Sequence, residues 1–369
     1  MRWALPYLAS LFAGLLLGEA ALRLFGARFS TSFYVIDPDL GWSLRPGVSG
    51  TYSGESIAPV RINSAGMRDD REYATGKQAN KFRVAILGDS FAEAMQVPVE
   101  QSLAGQLEAR LKSCRANPEV LNFGVQGYGT AQQLLVWRNK ARAYAPDVVV
   151  LLFYTGNDLY NNLRELNPTN ADAAPYFTHD NATGRLHFEP ALAKPSAMRE
   201  AWASVARVSK LAQFVTDAFY KLARPAVQQN RDYIDKLIYR APSSSAPMWQ
   251  AWANTEALVK QVSDEVRASG ATFVFALASS GMQVHPDPEK RRQFLEFTGG
   301  DDLFYTEKRL DAKARSHGLK SVFLGDAMQK DAERTGKFYH GFPGNLGNGH
   351  WNPDGHQFAA NSIADAICQ

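Results

Sequence analysis

A serine follows a short apolar segment in the sequence Gly88-Asp89-Ser90. The run from Val84 to Leu87 predicts a buried strand, and parallel sheets present their ligand-binding loops at the carboxyl ends of their strands. A serine hydroxyl at such a position can act as a nucleophile if a base and a site for an oxyanion lie nearby. The alternative is an ordinary strand-to-helix turn in which Ser90 caps the helix.

Three further segments carry the groups that this chemistry needs. The glycine-rich loop from Asn122 through Gly127 leads into a predicted helix and can offer backbone N–H groups to an anion. Asn157 follows a third apolar run, and its side-chain amide can donate a hydrogen bond to an oxyanion. His350 lies in a loop before a helix that Asn352 can cap, where it can serve as a general base. Taken singly, the glycine-rich loop is more simply explained as an ordinary tight turn, an asparagine after a strand is also common in turns, and a lone histidine is usually structural.

Apolar runs that alternate with helical segments position these groups. From Phe82 onward this alternation predicts an α/β fold, a three-layer sandwich in which helices cover both faces of a parallel sheet. The predicted strands are Val84 to Leu87, Val120 to Phe123, Val148 to Phe153, Thr272 to Leu277 and Ser321 to Leu324. The predicted helices are Val99 to Leu111, Ala131 to Tyr144, Trp249 to Ala268, Leu303 to His317 and Pro353 to Ile367.

The chain divides into segments of different composition. Residues 1–28 form a membrane anchor or signal segment, and residues 31–80 are a β-containing lead-in rich in glycine, serine and proline. Residues 81–369 are expected to form the catalytic domain, with a partly helical insertion at about 159–246.

The first segment is mostly apolar from Trp3 to Phe25 and is interrupted by Glu19 and Arg23. An uncleaved membrane helix and a cleaved signal peptide both fit this pattern, and we favour the anchor because a glutamate beside the cut makes a poor cleavage site. Glu19 and Arg23 are four residues apart, so we expect them to pair or to lie near the headgroups. Either alternative predicts that the catalytic domain is on the exported side, periplasmic or extracellular.

Composition excludes several classes of function. The 369 residues are 45% hydrophobic and 21% charged, with a net charge of +3, so neither global disorder nor nucleic-acid binding is expected. Cys114 and Cys368 can form at most one disulfide. Cys114 follows the first helix of the sheet domain and Cys368 ends the last one, and these two helices can share a face of the sheet, so a disulfide is possible in an oxidising compartment. No metal or other cofactor is expected, because the histidines lack a third well-spaced ligand.

The order and spacing of the motifs resemble those of the SGNH (GDSL-type) hydrolases. The matching blocks are Gly88-Asp89-Ser90-Phe91, Asn122 with Gly127, Gly156-Asn157-Asp158, and His350 with Gly355-His356. The resemblance covers roughly residues 82–158 and 249–367.

The resemblance implies roles for four residues. Ser90 would be the nucleophile and His350 the general base, and the oxyanion hole would consist of the N–H groups of Ser90 and Gly127 with the side chain of Asn157. The family pattern also has an aspartate two or three residues before the catalytic histidine, where this chain has Gly347 and Asn348. We therefore predict a Ser–His dyad in which Asn348 is the candidate to orient the imidazole.

Three functions follow from these observations. The first is an exported serine esterase or O-acyltransferase that acts on O-acetyl groups of a cell-surface polysaccharide, so that an acylated carbohydrate is the expected partner. The second is a lipid or thioester hydrolase in which the insertion forms an apolar lid, although the apolar spacing from Ala201 to Leu222 is explained more simply by packing on the core. The third is a non-catalytic polysaccharide-binding or assembly protein, which only the missing aspartate supports. Protein partners are not predicted. The sequence around Ser90 also lacks the Gly-x-Ser-x-Gly motif of α/β-hydrolases, because Ala92 replaces the last glycine.

Overall fold

The computed structural model describes residues 4–25, 32–193, 196–216, 218–219, 222, 236–242 and 247–369. Its centre is a five-stranded parallel sheet that confirms the predicted α/β fold. The strands are β5 (Phe82–Leu87), β6 (Pro118–Asn122), β7 (Val148–Tyr154), β10 (Thr272–Ala278) and β11 (Lys320–Phe323). Their spatial order is β11-β10-β7-β5-β6, so the first of these strands along the chain lies inside the sheet.

Alternating side chains of the strands enter two separate cores. In β5, Ala85 and Leu87 belong to one buried cluster, whereas Val84 and Ile86 belong to the other. Burial on both faces explains why these strands are continuous apolar runs rather than alternating ones.

Helices cover both faces of the sheet. The helices described in the part of the chain that forms the sheet are α2 (Ser90–Glu93), α3 (Leu103–Leu111), α4 (Thr130–Asn139), α5 (Asp158–Asn161), α7 (Pro247–Ala268), α8 (Pro288–Thr298), α9 (Tyr305–Ser316), α10 (Leu324–Thr335) and α11 (Pro353–Cys368). Helices α3 and α11 contribute to one core, and α4 and α7 to the other. Asn352 caps α11 by accepting a hydrogen bond from the Gly355 N–H at 3.1 Å, as predicted.

The lead-in forms two antiparallel hairpins. Strands β1 (Tyr34–Asp37) and β2 (Gly41–Leu44) form the first, and β3 (Ser49–Ser53) and β4 (Ile57–Arg61) form the second. Ser53 pairs with Ile57, so the second hairpin has a three-residue loop with Glu55 at its centre.

The insertion contains a hairpin of β8 (Tyr176–Asp180) and β9 (Arg185–Glu189), followed by helix α6 (Ala197–Val208). The expectation that its apolar residues pack on the core is wrong for the part described: Val205, Val208, Phe214, Val215 and Phe219 are exposed. The reason is that this segment contacts helix α1 (Ala4–Leu24) instead of the sheet. Glu19 of α1 accepts hydrogen bonds from the backbone N–H groups of Lys210 and Leu211.

The structure describes the N-terminal helix and the two cysteines, for which the sequence predicts an ion pair, a membrane segment and at most one disulfide. Arg23 donates a hydrogen bond to Glu19 at 2.7 Å, which confirms their pairing. Among the residues that the structure describes, none of the helices is both long and apolar enough to cross a bilayer. Cys114 and Cys368 form a disulfide that joins the end of α3 to the end of α11, with 5.8 Å between their Cα atoms.

Candidate active site

Ser90 begins helix α2 directly after strand β5. The Asp89 side chain caps this helix by accepting the Phe91 N–H at 2.9 Å. Ser90 is 7% exposed, and its backbone N–H has no acceptor within the helix because it lies in the first turn. The local sequence therefore places a hydroxyl and an unused N–H together at the carboxyl edge of the sheet.

His350 reaches the same point from the loop before α11. His340 and Trp351 form an isolated antiparallel bridge, and the Gly341 N–H donates to the His350 carbonyl at 2.9 Å. These backbone contacts hold the His350 ring against Phe91, with 5.0 Å between the ring centroids. The distance between His350 Nε2 and Ser90 Oγ is 2.8 Å.

The other ring nitrogen of His350 contacts Glu55 of the lead-in. Nδ1 lies 2.6 Å from Glu55 Oε1, and the His350 backbone N–H donates to Glu55 Oε2 at 2.9 Å. Burial raises the pKa of the Glu55 carboxyl, but the hydrogen bonds and charge of His350 more than offset this, so the net pKa is lowered. An ionised Glu55 fixes the proton on Nδ1, which leaves Nε2 free to accept the Ser90 hydroxyl proton.

Gly349 makes room for this carboxylate. The residue has a φ of +76°, and a Cβ atom there would lie 2.5 Å from Glu55 Oε2. On the other side, the Tyr52 hydroxyl accepts the Glu55 N–H at 3.2 Å and so supports the loop of the hairpin. Glu55 is thus held between its own hairpin and the histidine loop.

Asn348 does not have the orienting position expected for it. Its side chain is exposed at the edge of the cavity, while Glu55 occupies the contact with His350 Nδ1. The physical reason is that Gly347, at a φ of +83°, and Gly349 bend the chain, so residues close in sequence to His350 lead away from its ring.

The residues expected to form an oxyanion hole border one cavity with Ser90. Gly127 has a φ of +76°, and both Gly127 and Asn157 line the cavity that contains Ser90 and His350. Asn157 Nδ2 donates to Asp89 Oδ2 at 2.8 Å, which fixes the amide beside the nucleophile and leaves its second N–H for another acceptor. Burial raises the pKa of Asp89 even though the hydrogen bonds from Phe91 and Asn157 lower it.

A buried carboxylate joins the glycine-rich loop to the lead-in. Glu93 accepts the Gln126 N–H at 3.2 Å and the Tyr34 hydroxyl at 2.9 Å. Burial raises the pKa of Glu93 to about 7. The loop is also fixed to α2 by Asn122, whose Nδ2 donates to the Ala92 carbonyl at 2.7 Å. The position of Gly127 therefore depends on groups outside its own loop.

The cavity above these residues has a volume of about 470 Å³. Its walls combine amide side chains with aromatic rings and one lysine. The amides are Gln126, Asn157, Asn161, Asn167, Asn170 and Asn348; the rings are Phe91, Tyr154, Tyr160, Tyr239, Phe294 and Phe297; the lysine is Lys236.

Sequence reasoning missed Glu55. Its neighbours Gly54 and Ser56 signal only a turn, and 295 positions separate it from His350. The sequence gives one indirect signal. No aspartate lies two or three residues before His350, so an acid that contacts the histidine must come from elsewhere in the chain.

Solved structures align with most of this chain. A catalytic mutant of an acetylxylan esterase from Geobacillus stearothermophilus is 10% identical with a TM-score of 0.39, and the alignment covers 80% of this chain and 96% of that one. The lipase/acylhydrolase from Enterococcus faecalis is 11% identical with a TM-score of 0.40, covering 78% and 95%. A lipolytic protein assigned to the G-D-S-L family from Desulfitobacterium hafniense is 12% identical with a TM-score of 0.34, covering 77% and 98%. The chain resembles the SGNH hydrolases in its sequence motifs.

No protein-family model and no curated protein matches the chain. At identities of 10–12% and TM-scores of 0.34–0.40, the activity of this SGNH-like chain has to be argued from its own residues.

Proposed function

We propose that the protein is an exported serine ester hydrolase or O-acyltransferase that acts on O-acetyl groups of a cell-surface polysaccharide. One observation carries the proposal. Ser90 Oγ, the His350 ring and the Glu55 carboxylate form a continuous hydrogen-bonded series, with distances of 2.8 Å and 2.6 Å, at the wall of a cavity. This is the arrangement that activates a serine hydroxyl for acyl transfer.

The proposed reaction has two steps. Ser90 Oγ attacks the ester carbonyl carbon while His350 Nε2 takes the hydroxyl proton, and the carbonyl electrons move to the oxygen. Gly127 N–H and the Asn157 amide donate to that oxyanion. The intermediate collapses to an acyl-serine as the bond to the sugar oxygen breaks, and His350 gives its proton to that oxygen, which leaves as a hydroxyl group. Water or an acceptor hydroxyl then repeats the sequence and takes the acyl group from Ser90.

Glu55 has a positioning and electrostatic role in this scheme. Its carboxylate holds His350 in the productive tautomer and stabilises the imidazolium that forms during each proton transfer. The non-catalytic alternative depended on the lack of an acid near His350. Glu55 provides a carboxylate at that position, so this alternative loses its support.

The residues that line the cavity favour a carbohydrate substrate over a substrate with a long acyl chain. Sugars are bound by a combination of hydrogen-bonding amides and ring faces, and such groups line this cavity. A lipid or thioester hydrolase with a lid formed by the insertion would place apolar side chains over Ser90. The large apolar residues of α6 whose exposure is described, Met198, Trp202, Val205 and Val208, are exposed to solvent and are absent from the cavity wall.

The disulfide supports the exported location. Bonds such as that between Cys114 and Cys368 persist in oxidising compartments and are rare in the cytosol. Two free thiols in protein purified under non-reducing conditions would contradict this part of the proposal.

Turnover of 4-nitrophenyl acetate by the full-length protein tests the activity. We expect Ser90→Ala to abolish turnover, and Ser113→Ala, a change at an exposed serine at the end of α3, to leave it unchanged. Because Asp89 rather than Ser90 caps α2, and because Ser113 is exposed, both variants should remain folded by circular dichroism. Equal turnover by the wild-type protein and a folded Ser90→Ala variant would overturn the proposal. Release of free acetate or its appearance on an added oligosaccharide then distinguishes hydrolysis from transfer.

A further inference from the structure

One wall of the catalytic cavity carries a cation that the proposed reaction does not use. Lys236 lies in the short 3-10 helix Lys236–Tyr239 and lines the same cavity as Ser90 and His350. Its Nζ is 4.2 Å from the centroid of the Phe297 ring of α8, which also lines the cavity. An ammonium group over an aromatic face is attracted to the ring without losing its charge, so it can still bind an anion.

The segment that carries Lys236 is fixed to the catalytic domain. The Thr306 hydroxyl donates to the Ile238 carbonyl at 2.6 Å, and the Asp301 N–H donates to the Tyr239 carbonyl at 3.0 Å. The Tyr239 ring packs on Phe294 with 5.4 Å between centroids. Because Ile238 and Tyr239 are buried, Lys236 occupies a defined place on the wall.

The two charged residues that line the described cavity, Glu55 and Lys236, are not paired with each other. Glu55 is engaged by His350 instead. No described carboxylate lies within salt-bridge distance of Lys236, and the nearby Asp302 pairs with Lys308 instead. The ammonium of Lys236 is therefore the one charge on this described wall that a substrate can complement.

We infer that the site takes an O-acetylated glycan that carries carboxylates, such as a uronic-acid polymer, and that Lys236 binds a carboxylate beside the acetylated sugar. This inference rests on the proposed ester chemistry and specifies its substrate. A carboxylate accepts hydrogen bonds from the three N–H groups of an ammonium, and such charge-assisted bonds are stronger than neutral ones. Phe297, which contacts the cation, and Tyr239, which lines the same cavity, can pack against the sugar rings.

Steady-state kinetics with two oligosaccharides tests the inference. The substrates are O-acetylated oligogalacturonate, which carries carboxylates, and O-acetylated xylo-oligosaccharide, which is neutral. We expect the wild-type protein to prefer the acidic substrate, and Lys236→Gln to lower kcat/KM for that substrate about tenfold through KM. Turnover of the neutral substrate should change less than twofold. Lys236→Arg should restore the preference, and Lys330→Gln, at an exposed lysine of α10, should behave as wild type.

Two outcomes would overturn the inference. One is equal efficiency on both substrates in the wild-type protein, and the other is an equal loss on both in Lys236→Gln. In either case the wild-type protein would still turn over the neutral substrate in a Ser90-dependent manner, so the proposed function would stand. Calorimetric binding of deacetylated oligogalacturonate and xylo-oligosaccharide to the Ser90→Ala variant gives a second measurement that needs no turnover. Lack of selective, Lys236-dependent binding of the acidic oligomer there would also contradict the inference.

Discussion

Glu55 Oε1 lies 2.6 Å from His350 Nδ1 although 295 positions separate the two residues in the chain. The contact joins the tip of the β3–β4 hairpin to the loop before the last helix. The lead-in is therefore part of the candidate active site rather than an appendage to the catalytic domain. It also supplies Tyr34, which donates a hydrogen bond to Glu93 behind the glycine-rich loop.

The first prediction tests Glu55 by charge removal. Glu55→Gln keeps the size of the side chain but loses the carboxylate that stabilises the imidazolium, so kcat should fall by roughly 10²–10⁴. The upper figure is the loss when asparagine replaces the aspartate of the serine-protease triad. Asn348→Ala, at the exposed residue near His350, is the control and should retain activity within about threefold. A larger loss in Asn348→Ala than in Glu55→Gln would assign the orienting role to Asn348 after all.

The second prediction tests the same contact through the backbone. A methyl group at Gly349 would lie 2.5 Å from Glu55 Oε2 and would displace the carboxylate. Gly344 is the matched control, because it also has a positive φ, +93°, but a Cβ atom there meets nothing within 4 Å. Both alanine variants bear the cost of strained backbone, roughly 1 kcal/mol, and thermal unfolding should show similar losses. Only Gly349→Ala should lower kcat strongly, and equal kcat values in the two variants would argue against a role for Glu55.

The third prediction concerns the oxyanion. Asn157 is held by Asp89 with one amide hydrogen left for another acceptor, so Asn157→Ala should lower kcat by roughly 10²–10³, the usual loss of one such donor. KM should change little, because the oxyanion forms only during the reaction. A change in KM alone would identify Asn157 as a substrate-binding residue instead.

The sheet and its helices could be predicted because their signals are local. The run Val148 to Phe153 is long, apolar and rich in β-branched residues, and the strand is observed at Val148–Tyr154. Ser90 and His350 could be proposed because each lies at the end of a predicted element, where a parallel sheet gathers its loops.

Glu55 could not be predicted, because no local pattern distinguishes a carboxylate at a hairpin tip from a solvated one. Its function depends on a contact between chain segments that only the folded sheet brings together. The exposure of Val208 and Phe219 was missed for a related reason. Helical apolar spacing shows that a face exists, but it does not say what that face contacts.

The fourth prediction concerns the disulfide. Cys114 and Cys368 close a loop of 254 residues. The free energy of unfolding of the double Cys→Ser variant should therefore be about 2–5 kcal/mol lower than that of the oxidised protein. Chemical denaturation with and without reductant measures this difference. Reductant should lower the midpoint of the wild-type protein and leave the variant unchanged. Identical midpoints for the oxidised and reduced wild-type protein would contradict a stabilising bond.

The last prediction uses the buried Glu93. Burial raises its pKa from 4.5 to about 7 in the folded protein, so between these values the folded state binds a proton that the unfolded state has lost. The free energy of unfolding then falls as pH rises through this window, because stability decreases with pH wherever the folded state holds more protons. Glu93→Gln cannot titrate but can still accept hydrogen bonds from Tyr34 and Gln126.

The stability difference between Glu93→Gln and the wild-type protein isolates this carboxyl. Other buried groups, such as His340, whose pKa burial lowers to about 4, are present in both proteins and cancel in the difference. We expect the free energy of unfolding of the variant, measured relative to that of the wild-type protein, to rise by roughly 3 kcal/mol between pH 4 and pH 8, with most of the change between pH 4.5 and 7. Urea unfolding at a series of pH values measures it, and Glu296→Gln, at an exposed glutamate of α8, should show no such rise. A difference that stays constant with pH would mean that Glu93 ionises as freely in the folded protein as in the unfolded chain, and that the Tyr34 and Gln126 hydrogen bonds offset its burial completely.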